Sequence, residues 1–494
     1  MTDRNRQHDD DQLGFSRASQ ATSLRLFQAG ALGVAGLIAW VIYTSPVQDL
    51  TLLSAGILII LLATFPALRW ARRGDSHFPI FEVFLLTFVP FYGISMLAGH
   101  PEMLGFGEES TGAGALAVLI FQGGMLAAFY GTSPPAAREP LLIMPLLPDG
   151  FMRYAQAGLW LNTAFIFVNG STDLVPNELR LPLRAAFFGI GLISLYVEMR
   201  RWGAGRLGTG EKLAVGIALA VQGILLIREL YLIVSISLLL VAALAYVSSS
   251  RRIPWIPIVF LLPALGLLHS GKAAMRTVYW EGGQALPGLA DLPGFFYEWA
   301  EAGLDSKDSS ELPGSSSLTG RLFERASLFH MLCFVIDRTP EKEPFLTGES
   351  YLYIPSQLIP YFLWPNKPSS LKSNVLLAIH YKLVPDDGSA RVSIAFGMIA
   401  ESFANFGFWG CAIMGAILGL FYRMVTSAAM GAPQFSAMGL LSILLGAWSF
   451  QSEQIFATWF ISLLQATAVV IAIPLALRII FPATFRSSAP TEEA

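Results

Sequence analysis

What this sequence has little of narrows it first. Two cysteines, Cys333 and Cys411, stand in 494 residues, too few for a disulfide framework or a cysteine-rich metal site, and they leave the redox compartment unreadable. Charged residues make up only 14% of the chain, and 32 Lys and Arg against 35 Asp and Glu leave a net charge of -3. That excludes the whole-chain basic field of a nucleic-acid binder, so any anionic ligand has to be met by local arginines and lysines. His330 and His380 stand alone, outside metal-ligand spacing, and neither a metal nor a cofactor is expected. The two halves show no convincing repeat, which argues against an inverted-repeat transporter.

What is abundant is apolar. Hydrophobic residues are 54% of the chain, and the mean hydropathy is +0.56, values that belong to an integral membrane protein. Residues 1–24 are polar and mixed in charge and are expected to be a disordered tail, followed by an uncleaved first span at 27–43. Further apolar segments lie at 50–68, 79–98, 113–131, 154–169, 182–198, 212–227, 230–247 and 254–268, each near the ~20 residues a helix needs to cross hydrocarbon. A long polar interruption, 269–393, separates these nine from three more at 394–422, 436–450 and 455–480. The first of those three is overlong, and a bend or re-entry is expected near Gly407. The fold class expected is an all-α polytopic membrane protein of about twelve transmembrane helices, with spans 1–9 in 25–268 and spans 10–12 in 394–480.

Lys and Arg cluster in alternate loops: Arg69, Arg72 and Arg73; Arg200, Arg201, Arg206 and Lys212; Arg251 and Arg252; Arg423; Arg478 and Arg486. By the positive-inside rule these loops and both termini, including 481–494, are cytoplasmic, and 269–393 is a large periplasmic loop between spans 9 and 10. The loop around Arg180 and Arg184 is the exception to the pattern. A connection of that length should carry function or structure of its own. Within it, 295–303 and 321–336 read as amphipathic helices, the latter roofing the bundle or lying on the membrane, and 307–320 as a flexible Ser, Gly and Pro linker.

Several residues at this outer boundary point to chemistry. Lys272 and Arg276 share a face four residues apart, Arg321 and Arg325 do the same, and Lys367 and Arg391 lie further on. Arginine forks suit phosphate oxygens, and so many cations at one leaflet fit a diphosphate lipid headgroup; taken singly, each could equally snorkel or make a structural ion pair. Glu401 is a carboxylate in an apolar run, worth about 2.5–3.5 kcal/mol of insertion cost at a helix centre. With Gly397 and Asn405 it forms a polar stripe. Two readings of Glu401 stand open: a general base or sugar-hydroxyl anchor, and a buried salt bridge to Arg391 or Arg228. Asp386 and Asp387 read as an exposed turn. In IPYFLWPNKP, Trp364 and its aromatic neighbours form either an interfacial anchor or an aromatic floor for a sugar, with Lys367 beside it.

The succession KAAMR, GRLFERASLF, GESY, IPYFLWPNKPS and SIAFGMIAESFANFGFWG resembles the bacterial oligosaccharide repeat-unit polymerases of the O-antigen polymerase (Wzy) type and related exopolysaccharide polymerases, over about 269–425. Tyr361 departs from the pattern, standing where such proteins carry an arginine, so one phosphate contact is absent or supplied elsewhere. The resemblance implies a GT-C-like glycosyltransferase at the periplasmic face of the bacterial inner membrane. It would join repeat units carried on undecaprenyl diphosphate and work beside a flippase and a chain-length regulator. From their position in the chain, catalytic roles are expected for Glu401 and Arg391, and substrate binding by Lys272, Arg276, Arg321, Arg325, Trp364, Lys367 and Asn405. A flippase or transporter of lipid-linked sugars, and a ligase that moves finished glycan to a lipid acceptor, are the alternatives.

Overall fold

The computed structural model describes residues 20–480 except 75–76, 101–102, 104, 133–145, 147–150, 172–176, 231, 282–283, 285, 306–326, 358, 360–363, 365, 370, 386–393, 431 and 434. Arg321, Arg325, Arg391, Tyr361, the Asp386–Asp387 turn, the 307–320 linker and both terminal tails therefore lie outside the described residues.

Regular structure among the described residues is helical throughout. The chain runs α1 (Gln20–Thr44), α2 (Leu50–Arg73), α3 (Ile80–Leu97), α4 (Glu108–Gly131), α5 (Phe151–Ser171), α6 (Asn177–Gly203), α7 (Thr209–Arg228), α8 (Leu232–Ser250) and α9 (Trp255–Arg276). After these come α10 (Leu292–Asp305), α11 (Phe329–Arg338), α12 (Lys372–His380), α13 (Gly397–Ala429), α14 (Ala437–Trp448) and α15 (Phe456–Ile480). Eight of them, α1, α2, α3, α4, α7, α9, α13 and α15, are long and apolar enough to cross a membrane, and α8 and α14 carry shorter apolar stretches. Arg180 and Arg184, read from the sequence as a loop, stand in the first turns of α6; that helix starts earlier than its apolar part, because hydropathy marks where a helix meets lipid, not where it begins.

The centre of the bundle is the pair α4 and α13. Glycines let their backbones touch: a Cβ on Gly415 or Gly419 would collide with the carbonyl oxygens of Phe121 and Met125, and one on Gly124 would stand 2.8 Å from Ala412 O. Close approach of this kind substitutes dispersion contacts for the hydrophobic drive that is missing between helices in lipid. The pairing of 121 with 415 and 125 with 419 makes α4 and α13 run in the same direction. α2 lies against α4 through Gln122 Nε2, which donates to Ile59 O at 3.3 Å. Aromatic side chains pack beside this pair, with Phe81 stacked on Phe129 at 3.8 Å and Tyr422 tilted against Phe84 at 5.2 Å.

The arginine-bearing helix ends gather at one end of the bundle. Arg251 stacks over Trp70 at 3.9 Å, Ser249 Oγ donates to Arg200 O at 3.0 Å, and Arg69 stacks over Tyr130 at 4.4 Å. Arg423 lies 5.7 Å from the Phe129 ring at the same end. The opposite end carries the interruption. There α10 folds back along the last turns of α9, its Trp299 Nε1 donating to Leu268 O at 2.7 Å while Ser270 Oγ donates to Gly303 O at 3.0 Å. The expected helix over 321–336 begins at Phe329 among the described residues, and it buries Phe329, Leu332, Cys333 and Val335 against α4 and α13. Its apolar stripe thus meets protein.

Candidate functional site

Helix α13 is broken where its glycines cluster. Phe406 and Gly407 leave helical geometry, Gly407 at φ 60° and ψ -144°, a conformation open in practice to glycine alone. The chain folds back so sharply there that Gly410 lies against Ser402 O. This is the bend expected near Gly407. It leaves 397–405 as a short helix whose last carbonyls would lack partners. They are met by the backbone of the loop before the Glu349–Tyr351 turn: Leu346 N–H donates to Ala404 O at 2.9 Å and Thr347 N–H to Asn405 O at 3.2 Å.

Glu401 and Asn405 sit on that short helix, both 0% exposed. The Glu401 carboxylate accepts from Ser350 Oγ at 2.9 Å through Oε1 and from the N–H of Phe456 at 2.6 Å through Oε2, and the N–H of Ala457 is a further donor to it. Phe456 and Ala457 are the first residues of α15, so the carboxylate caps the positive end of another helix. Its partners among the described residues are a hydroxyl and backbone amides, and Arg391, one salt-bridge partner considered for it, lies outside those residues. Asn405 is as fully engaged, accepting from Gly348 N–H at 2.9 Å and donating to Ser350 Oγ at 2.9 Å and Glu401 O at 2.7 Å. Of the polar stripe, Glu401 and Asn405 face the Ser350 turn and not open space, whereas a Cβ on Gly397 would meet Tyr92 and Leu328.

Helix α12 locks the same knot from outside. Ser373 Oγ donates to Ser350 O at 2.7 Å, and Asn374 holds both backbone groups of Ile394 just ahead of α13, at 2.7 and 3.1 Å. Ser350, in a turn, and Ser373 and Asn374, in the first turn of α12, escaped the sequence reading because small polar residues carry no periodic signal.

The connection between α14 and α15 hangs on this knot. Beyond the Glu401 cap, Trp459 Nε1 donates to Trp448 O at 2.9 Å, Tyr422 and Ser449 share a hydrogen bond at 2.9 Å, and Ser452 bonds Thr87. At its tip stands Glu453, half-buried, with the positive charges of Lys272 and Arg276 acting on it from α9. Burial pushes its carboxyl above the usual glutamate range, and the two cations pull it partly back. Arg276 also donates from Nη2 to Leu230 O at 3.2 Å, at the turn where Arg228 Nε donates to Pro287 O at 2.8 Å. Sequence reading found the two cations and missed Glu453. The available signal was its position, since it is the only carboxylate between Glu401 and the terminal tail.

The remaining expected residues do not join this cluster through any described bond. Trp364 is 40% exposed. Lys367 Nζ donates to Ile359 O at 2.8 Å, closing its own loop, and Gln357 Nε2 does the same to Pro368 O at 2.7 Å.

Fold and site together define an all-helical, polytopic membrane protein with one carboxylate and two cations gathered at the end of the bundle away from its arginine-rich face. No family description, curated protein or solved structure matches the chain.

Proposed function

We propose that the chain is a lipid-linked-sugar-dependent glycosyltransferase that polymerises diphosphate-linked oligosaccharide repeat units at the outer face of a bacterial inner membrane. On this reading it has about twelve spans and cytoplasmic termini, and 269–393 lies on the periplasmic side. The observation that carries the reading is Glu453 set beside Lys272 and Arg276, a carboxylate able to take a proton next to cations able to hold a diphosphate.

The chemistry then divides among named groups. Lys272 and Arg276 hold the donor's diphosphate and stabilise the charge that grows on it as the sugar C1–O bond breaks. The acceptor hydroxyl attacks C1, its proton passes to Glu453, and the lipid diphosphate departs. Glu401 acts as a positioning residue: it fixes the first turn of α15 and, three residues away, the tip that carries Glu453. Arg321, Arg325 and Arg391 supply further phosphate contacts from 269–393, Trp364 a stacking surface for sugar, and a flippase and a chain-length regulator are the proposed partners.

The test is reconstitution in liposomes with an undecaprenyl-diphosphate-linked oligosaccharide. A ladder of products rising by one repeat unit is expected, lost in Glu453→Gln. Transport of the lipid-linked sugar across the bilayer without new glycosidic bonds would overturn the reading in favour of a flippase.

A further inference from the structure

A concave site lies at the other end of the bundle, where no part of the proposed glycosyl transfer takes place. It is a cavity of about 300 Å³ between the ends of α2, α4 and α13 and the start of α3, at the lower end of the range that holds small ligands. Arg69 and Arg73 enter it from α2, Arg423 and Thr426 from α13, and His77 and Glu82 from the turn into α3.

Three arginines converging on one hollow call for an anion. Among the described residues none of the three forms an ion pair with a carboxylate; the one acid present, Glu82, has its Oε1 3.0 Å from His77 Nε2. Arg69 lies over the Tyr130 ring and Arg423 beside that of Phe129, contacts that use a guanidinium's face and leave its edge donors for an oxyanion. Arg423 Nε and Thr426 Oγ1 are buried with no hydrogen-bond partner among the described residues, and so is Glu82 Oε2. Buried polar atoms are rarely left unmet. Two of the three orphans sit on one turn of α13 and can donate; the third can only accept while ionised. A tetrahedral phosphate meets the first two through its oxygens, and a protonated oxygen or a neighbouring hydroxyl meets Glu82. We infer that this cavity binds a phosphate-bearing group, from a phospholipid headgroup or a free phosphoanion. The site stands apart from the glycosyltransferase reading and holds whether or not that reading does.

The two sources separate by experiment. The full-length protein in a neutral detergent is titrated with pyrophosphate by calorimetry, and lipid binding is followed by native mass spectrometry with phosphatidylglycerol against phosphatidylcholine. Saturable binding of pyrophosphate supports a free phosphoanion; retention of phosphatidylglycerol alone supports a headgroup. In either case Arg69→Gln with Arg423→Gln should weaken binding roughly tenfold or more, as expected for lost charge-assisted hydrogen bonds. Should that double variant fail to fold, Arg73→Gln, an exposed side chain, serves with the same expected direction. Binding of neither probe, or binding unchanged in the folded variants, overturns the proposal.

Discussion

The carboxylate of Glu401 accepts the backbone N–H of Phe456 at 2.6 Å, across 55 positions of sequence. The bond joins the short arm of the broken helix α13 to the first turn of α15, and it satisfies a helix N-terminus that would otherwise be an orphan in an apolar interior. Oε1 of the same group takes Ser350 Oγ at 2.9 Å, so one side chain ties three segments.

Removing it should therefore act on folding first. Glu401→Ala leaves buried donors without an acceptor, at about 1–3 kcal/mol for each one orphaned. A lower thermal unfolding midpoint in detergent and reduced abundance are expected, with Glu401→Gln intermediate because one amide oxygen remains. An Ala variant that melts like the wild type would sink the capping role.

Glu453 should behave in the opposite way. Glu453→Gln is expected to leave abundance and melting near wild type and to remove polymer formation by about 100-fold or more, the usual contribution of a general base. The pH profile adds a signed check. A base works ionised, and burial raises this carboxyl above the ordinary glutamate value of 4.5 while Lys272 and Arg276 oppose the rise. Activity should thus fall on the acid side at a pH above 4.5, and Lys272→Met, which removes one opposing charge, should move that limb higher still. A limb that stays in place or moves down in the variant would exclude Glu453 as the group that titrates.

How far the sequence could be read depended on the kind of signal. Long apolar runs marked the membrane character and most helices, because burial in lipid writes itself into composition. The break in α13 was legible too, since Gly407 and Gly410 interrupt a run otherwise suited to one helix. Glu401 drew notice through the cost of a carboxylate among apolar residues, yet its partners could not be read, because Ser350 and Phe456 reach it only through tertiary packing. The same cost argument could not reach Glu453, because a loop between two spans reads as solvent-exposed until a fold places α9 beside it. Arg321, Arg325 and Arg391 lie outside the described residues, so their proposed phosphate contacts rest on the sequence alone.

His330 stacks on His100 with ring centroids 4.3 Å apart and planes nearly parallel. Burial holds the His330 imidazole below its ordinary value of 6.5, with the hydrogen bond to Ser327 opposing. A depressed histidine favours the neutral folded state, so its contribution to stability is complete above pH 6.5 and is lost as pH falls through the lower folded value. Thermal melts between pH 8 and 5 should show the midpoint dropping on the acid side, and His330→Gln should flatten that drop. An unchanged acid slope in the variant would assign it to other groups.

Gly407 gives the sharpest test of the broken helix. At φ 60° and ψ -144° any side chain meets its own backbone, a strain of about 1–3 kcal/mol, and a Cβ there would stand 3.4 Å from the Phe345 ring, an ordinary contact. The cost of Gly407→Ala is therefore conformational and not steric crowding by neighbours. Straightening the helix would relieve it, but only by pulling the 397–405 arm away from Leu346 and Thr347, and with it Glu401 from Phe456. Gly407→Ala is expected to lower the melting midpoint and to reduce polymer formation beyond the loss of folded protein, because the tip carrying Glu453 is held through that arm. Gly419→Ala, which collides with Met125 in the α4 and α13 contact far from the tip, should lower stability while activity per folded molecule stays near wild type. Equal loss of specific activity in both variants would show that the arm does not position Glu453.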